Sequence, residues 1–112
     1  MRFDALTLSS RDLARSRAFY TGKLGFRVLA EDGRSYFMVD AGGIKLHVDA
    51  ESARSPLASA EPRLVFRTEA VAERCTTLRD LGVSVDGPRA TDEGVRAELS
   101  DPDGHPIILL ER

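Results

Sequence analysis

The spacing of apolar and polar residues repeats in the two halves of this chain. Residues 3–9 alternate between apolar and polar, which predicts a strand with one face turned toward a helix layer. A helix should begin at Asp12 and end at Gly25, because carboxylates favour helix starts and glycine favours helix ends. Apolar runs then predict strands at 26–30, 35–39 and 44–49. The first half is therefore expected to fold as β-α-β-β-β.

The second half presents the same order of elements. A strand at 64–66 precedes a helix that begins near Ala70 and ends at Gly82. Further strands are predicted at 83–85, 95–100 and 107–110, the last one after the turn sequence Asp101-Pro102-Asp103-Gly104. Residues 6–8 match residues 64–66 at an offset of 58, and His47 matches Ile108 at an offset of 61. Gly25 and Gly82 differ by 57, so the second copy is one residue shorter within its helix.

The repeat predicts an α+β fold built from two tandem βαβββ modules in one domain. Module one covers residues 1–49 and module two covers residues 63–112. Residues 50–62 lack periodicity and contain two prolines, so we interpret them as a linker. A length of 112 residues suits a single domain, here 1–112.

Composition excludes several classes of partner. The net charge is -2 without a basic block, which argues against nucleic acid. No apolar run is long enough for a membrane span, and the first residues do not resemble a signal peptide, so we expect a cytoplasmic protein. Cys75 is the single cysteine, which excludes an internal disulfide, and its helix position predicts a buried apolar role. No Ser-His-Asp or Cys-His arrangement supports covalent catalysis.

Three sequence phrases carry a resemblance to a known family. They are Asp12-Leu13-Ala14-Arg15-Ser16-Arg17-Ala18-Phe19-Tyr20, Leu24-Gly25-Phe26 and Asp101-Pro102-Asp103-Gly104. With the two βαβββ copies, they resemble the vicinal oxygen chelate superfamily, which contains glyoxalase I, extradiol dioxygenases and bleomycin resistance proteins. The resemblance implies eight strands that form an open cup, helices on its outer side, and often a homodimer.

The resemblance also locates the four metal-ligand positions of that superfamily. Metal-dependent members use His on the first and fifth strands, His or Glu on the fourth, and Glu on the eighth. The corresponding residues here are Ala5, Arg63, His47 and Ile108. Only His47 can coordinate a metal, and strand alternation turns the neighbouring Asp4 and Glu111 away from the site. The resemblance therefore implies the metal-free branch, with no cofactor and with small-molecule binding rather than catalysis. The alternatives are a glyoxalase- or dioxygenase-type enzyme and a dimeric module without a ligand.

Alternation and the repeat select the residues expected to face a ligand. These are Thr7, Phe37, Lys45, His47, Arg63, Val65, Arg67, Glu98, Ile108 and Leu110. His47 either pairs with a neighbour such as Glu98 or Asp49, or contacts the ligand. Arg63 either forms a salt bridge or binds an anion, and the mixture of cations with apolar side chains predicts an anionic aromatic ligand. His105, beside the last turn, is expected to be exposed.

Overall fold

A computed structural model of the protein describes residues 4–51 and 63–111. The strands are β1 (Ala5–Ser10), β2 (Arg27–Glu31), β3 (Tyr36–Asp40), β4 (Lys45–Ala50), β5 (Leu64–Arg67), β6 (Asp86–Thr91), β7 (Gly94–Ser100) and β8 (Pro106–Glu111). The α-helices are α1 (Leu13–Ala18), which continues into a π-helical turn (Phe19–Lys23), and α2 (Val71–Asp80). This order confirms the predicted α+β fold of two βαβββ modules. Residues 52–62 of the predicted linker lie outside the described residues.

Each module forms its own four-stranded sheet, and the two sheets share one topology. Their strand orders are β1-β4-β3-β2 and β5-β8-β7-β6. In each sheet the first strand pairs in parallel with the last, and the remaining pairs are antiparallel. The described residues fall into two compact units that correspond to these two sheets with their helices.

Strand register confirms which residues of the two copies are equivalent. Thr7 pairs with His47 across β1 and β4, and Val65 pairs with Ile108 across β5 and β8. The predicted offsets of 58 and 61 therefore hold in these four strands. Four residues separate β3 from β4, whereas five separate β7 from β8. This extra residue means that β3 and β7 correspond at an offset of 60.

The core of the first unit lies between its sheet and the segment that contains α1. The sheet contributes the buried side chains of Leu8, Phe37, Val39, Leu46 and Val48. Tyr20 of the π-helical turn is fully buried, and its ring centroid lies 6.3 Å from that of Phe37. The buried Ser10 and Ser16 hydroxyls share a hydrogen bond of 2.6 Å, which ties the end of β1 to α1.

The core of the second unit lies between its sheet and α2. Val71, Cys75 and Leu78 are the buried residues of this helix, so the buried apolar role predicted for Cys75 is confirmed. The sheet contributes Leu64, Ala97, Leu99, Ile107 and Leu109. Within the described part of the chain, no helix is long and apolar enough to cross a membrane.

The one-residue difference between the two helical segments coincides with the π-helical turn. The Leu24 amide donates to the Phe19 carbonyl at 3.0 Å, which is the i to i+5 spacing of a π-helix. Such a turn is the usual way in which a helix accommodates one additional residue. The first helical segment then ends before Gly25, whose φ of 77° lies in the left-handed region.

The strand predicted at 83–85 is wrong, and β6 begins only at Asp86. The amide of the buried Val83 donates to the Leu78 carbonyl at 2.9 Å, so this segment closes α2. The Arg79 guanidinium also donates to the carbonyls of Val85 and Gly87. Strand β6 pairs with β7 through a register shift around Gly87-Pro88.

Candidate functional site

Each sheet has one face covered by its helix and one opposite face, which we call the open face. Because side chains alternate along a strand, residues that pair side by side share a face. The first open face carries Ala5, Thr7, Tyr36, Met38, Lys45, His47 and Asp49. The second open face carries Val65, Arg67, Arg96, Glu98, Ile108 and Leu110. Nine of the ten predicted ligand-facing residues lie on these faces or, for Arg63, directly before β5.

His47 is held by two neighbours on the first open face. Its Nε2 lies 2.7 Å from Oδ1 of Asp49, two residues further along β4, and both side chains are partly exposed. The imidazole stacks on the Tyr36 ring with a centroid distance of 4.9 Å and an interplanar angle of 19°. The predicted pairing with Asp49 is confirmed. Glu98 is the wrong partner, because its carboxylate contacts Arg96 at 2.6 Å.

The remaining predicted residues of the first open face surround this histidine. Thr7 pairs with His47 in register from β1 and is exposed. The Lys45 ammonium lies 3.4 Å from the carboxylate of Asp4 and forms an ion pair with it. The face therefore combines a hydroxyl, an ammonium group and an imidazole with the apolar side chain of Met38, which pairs with His47 from β3.

Phe37 is wrongly assigned to this face. Its side chain is 1% exposed and contacts Tyr20 on the helix-covered face. The error arises from the turn before β8, which is one residue longer than the turn before β4. An offset of 61 relates β4 correctly to β8, but the offset between β3 and β7 is 60. Applying 61 to β3 therefore selects a residue one position away, whose side chain points to the opposite face of the sheet. Tyr36 was missed for the same reason, although its neighbour His47 lies on a correctly assigned strand.

Apolar side chains form the centre of the second open face. Ile108 lies between Val65 on β5 and Glu98 on β7. Ile108 and Leu110 are buried, with 4% and 6% exposure, whereas Val65 is 57% exposed. Leu110 pairs with Arg67 on one side and Arg96 on the other.

The cations of the second open face differ in their pairing. Arg96 forms an ion pair with Glu98. Arg63 and Arg67 are exposed, and neither forms an ion pair with another residue within the segments 4–51 and 63–111. The guanidinium groups of these two residues are therefore the positive charges available to an anionic partner.

The residues at the family's metal-ligand positions do not fit a metal. The methyl group of Ala5 and the side chain of Ile108 have no donor atom, and Arg63 is a permanent cation. Among the described residues, the one group of three or more side chains with suitable spacing for a metal ion consists of Asp101, Asp103 and His105. That group does not include His47, so His47 lacks the partners of a family-type site.

His105 is buried rather than exposed, which corrects the expectation from its position beside a turn. Its side chain is 3% exposed and contacts the Asp101 carboxylate through Nδ1. Oδ1 of Asp101 also accepts hydrogen bonds from the amides of Asp103 and His105, at 2.9 and 2.8 Å. The acidic turn therefore folds around its own aspartate and carries the imidazole inward.

Glu111 faces away from the second open face, as strand alternation predicted. Its carboxylate accepts a hydrogen bond of 2.9 Å from the Val71 amide at the start of α2. Ala70, the residue before the helix, offers no side-chain cap, so Glu111 satisfies one of the first backbone N–H groups. Its role in this contact is structural.

The comparison with protein families decides the classification. A family model described as the Glyoxalase/Bleomycin resistance protein/Dioxygenase superfamily matches residues 2–109. The chain belongs to this superfamily. The predicted resemblance is therefore confirmed, and it extends over nearly the whole sequence. A comparison with curated proteins finds no match.

Solved structures with the same fold include proteins of different activities. TnmS3, an antibiotic-binding protein from Streptomyces sp. CB03234, is 28% identical with a TM-score of 0.81, over 99% of this chain and 95% of that one. A glyoxalase/bleomycin resistance protein from the same organism is 30% identical with a TM-score of 0.73, over 96% and 98% of the two chains. Lactoylglutathione lyase from Agrobacterium tumefaciens is 19% identical with a TM-score of 0.83, over 98% and 92%, and this similarity concerns the fold alone.

Proposed function

We propose that this protein binds a small organic molecule on the open faces of its sheets and that binding needs no metal. The observation that carries the proposal is the strand register, in which Ile108 occupies the position that His47 has in the first sheet. With Ala5 and Arg63 at the other two ligand positions, the superfamily's metal would lack three of its four ligands. Similarity to the antibiotic-binding protein TnmS3 supports a binding role.

The charges and apolar side chains of the second open face favour an anionic, aromatic ligand. Arg63 and Arg67 provide guanidinium groups, which bind carboxylates and phosphates through paired hydrogen bonds. Val65 is an exposed apolar residue between these two arginines in the sequence, so an apolar ring could lie beside the cations. Cationic glycopeptides of the bleomycin type should bind less well, because they would meet positive charge.

A thermal-shift screen tests this proposal. Aromatic carboxylates and phosphates should raise the melting temperature more than cationic drugs of similar size, because a bound ligand stabilises the folded state. Arg63→Ala should weaken binding of the anionic compounds by about 10- to 100-fold, the effect of losing one charge-assisted hydrogen bond. Arg74→Ala, which removes the same charge from the exposed side of α2, should leave binding unchanged. Larger shifts with the cationic drugs, or equal effects of the two substitutions, would contradict the proposal.

We also infer that the protein acts as a cytoplasmic homodimer. The single cysteine is consistent with a reducing compartment, where disulfides do not persist. Strands β1 and β2 lie at the two ends of the first sheet, and β5 and β6 lie at the ends of the second. Such edge strands are commonly covered in native proteins, and pairing of two copies is one way to cover them.

A further inference from the structure

The strands of the second open face carry one arginine that is neutralised and one that is not. The Arg96 guanidinium donates through Nε and Nη2 to the same oxygen, Oε1 of Glu98, at 3.2 and 2.6 Å. Arg67 is exposed and has no acidic partner in the part of the chain that the structure describes. The pair on β7 is therefore neutral as a whole, whereas the charge on β5 is uncompensated.

Strand register places these two arginines on opposite sides of one apolar residue. Leu110 on β8 pairs with Arg67 on β5 and with Arg96 on β7. Neighbouring strands lie about 4.8 Å apart, so the backbones of the two arginines are separated by roughly 10 Å. Because directly paired residues share a face, both guanidinium groups belong to the same side of the sheet. Their charges alone would favour a ligand with an anionic group at each end.

Glu98 opposes a second anionic group at Arg96. Its side chain is 49% exposed, and Arg96 is its single polar partner within the segments 4–51 and 63–111. Both hydrogen bonds end on Oε1, so Oε2 remains an anionic oxygen that can only accept hydrogen bonds. A ligand carboxylate that approaches Arg96 would meet this like charge and would have to displace a charge-assisted hydrogen bond that already exists.

We propose that Glu98 is a specificity-determining residue that confines the anionic charge of the ligand to the end lying at β5. Arg67 binds that anionic end, and the exposed Val65, two residues earlier on the same strand and face, contacts the apolar body. The opposite end of the ligand lies at the Arg96–Glu98 pair and is neutral. This inference rests on the proposed binding of an anionic aromatic molecule and names where that molecule carries its charge.

Titration calorimetry of the full chain with terephthalate and its monomethyl ester tests the proposal. The two compounds have nearly the same shape, but the ester has a neutral group where terephthalate has its second carboxylate. The wild-type protein should bind the monomethyl ester more tightly. Glu98→Gln should lower the Kd of terephthalate about 10- to 100-fold relative to that of the ester, because the released Arg96 can pair with the second carboxylate. Glu98→Asp keeps the negative charge and should retain the wild-type preference.

Two further variants separate this effect from a general change in charge. Glu31→Gln makes the same chemical change at a glutamate that contacts Arg17 at 2.8 Å in the first unit. It alters the net charge equally but releases no arginine on the second open face, so the ratio of the two Kd values should stay as in wild type. Arg67→Gln should weaken binding of both compounds about tenfold or more, because each loses the charge-assisted hydrogen bond of its anionic end.

Several results would overturn the inference while small-molecule binding stands. They are equal Kd values of the two compounds in wild type, a ratio that Glu98→Gln leaves unchanged, and a ratio that Glu31→Gln shifts as much as Glu98→Gln. Failure of the monomethyl ester to bind would also overturn it. The thermal-shift screen with Arg63→Ala would then decide the proposed function separately.

Discussion

The Asp32 carboxylate organises the turn between β2 and β3. Its Oδ1 accepts hydrogen bonds from the amides of Arg34, Ser35 and Tyr36, at 2.9, 2.7 and 3.1 Å, and its Oδ2 contacts the Ser35 hydroxyl. The hydrogen bond from the Ser35 hydroxyl, followed by those from the backbone amides, holds the pKa of Asp32 well below its usual range. The turn matters for the candidate site because it leads directly into Tyr36, the ring that stacks on His47.

Asp32→Asn should lower the melting temperature at neutral pH. The pKa of this carboxyl is lower in the folded state than in the unfolded state. At pH values above the unfolded-state pKa, the ionised carboxylate therefore stabilises the fold. That contribution is lost as the pH falls through the folded pKa. The difference between wild type and Asp32→Asn should therefore narrow in acid, as followed by thermal melts across the pH range. Asp92→Asn, in the exposed turn after β6, is the matched control. A difference that does not change with pH would count against this role of Asp32.

Two contacts of single residues could be predicted from the local sequence pattern. Asp12 caps α1 by accepting a 3.1 Å hydrogen bond from the Arg15 amide, and Asp49 pairs with His47 two positions away on the same strand. His105 could not be predicted in the same way. Its burial depends on how the Asp101 carboxylate folds the turn, and turn residues with polar side chains are usually solvated.

At the scale of elements, the sequence shows that the two helical segments differ in length, and the structure shows that the extra residue lies in the π-helical turn. The offset between Gly25 and Gly82 shows that the first helical segment has one extra residue. The spacing of apolar residues does not distinguish an α-helix from a helix with a single π-helical turn, because one extra residue changes the position of only a few apolar side chains around the helix. The register shift in β6 was missed for a related reason, since strand pairing around Gly87-Pro88 depends on β7 rather than on local pattern.

Two glycines, one within the first helical segment and one directly after it, should respond in opposite ways to substitution by alanine. Gly22 lies in the π-helical turn, its φ is not in the left-handed region, and an added Cβ would meet no atom within 4 Å. Gly22→Ala should therefore stabilise the protein by about 0.5–1 kcal/mol. Gly25 has a φ of 77°, so Gly25→Ala should destabilise it by about 1–2 kcal/mol. Urea denaturation measures both changes, and shifts in the same direction would refute this account of the helix end.

At the scale of the whole molecule, the tandem repeat made most of the fold predictable. The offsets of 58 and 61 identified equivalent positions on four strands, and strand pairing confirms them. The repeat also misled where the turn before the last strand of each module differs in length: Phe37 was assigned to the wrong face, and Tyr36 was not identified. The type of residue at each ligand position could be taken from the sequence, whereas the contacts of His47 with Asp49 and Tyr36 needed coordinates.

The protein should be a dimer in solution. Val65 and Ile44 are apolar and are 57% and 50% exposed, and each sheet ends in edge strands. Association of two copies would remove part of this apolar surface and these strand edges from water. Light scattering at micromolar concentration should give about twice the chain mass of 12.3 kDa. A mass equal to one chain would contradict the dimer.

The central claim is that binding on the open faces does not use a metal, and titration calorimetry in the presence of a chelator tests it most directly. An anionic aromatic compound selected by the thermal-shift screen is titrated into protein treated with EDTA, and again after dialysis with zinc, nickel, manganese or iron(II). Since three of the four ligand positions are Ala5, Arg63 and Ile108, the account predicts the same Kd in every sample. Binding that disappears with EDTA and returns with one of these ions would contradict it.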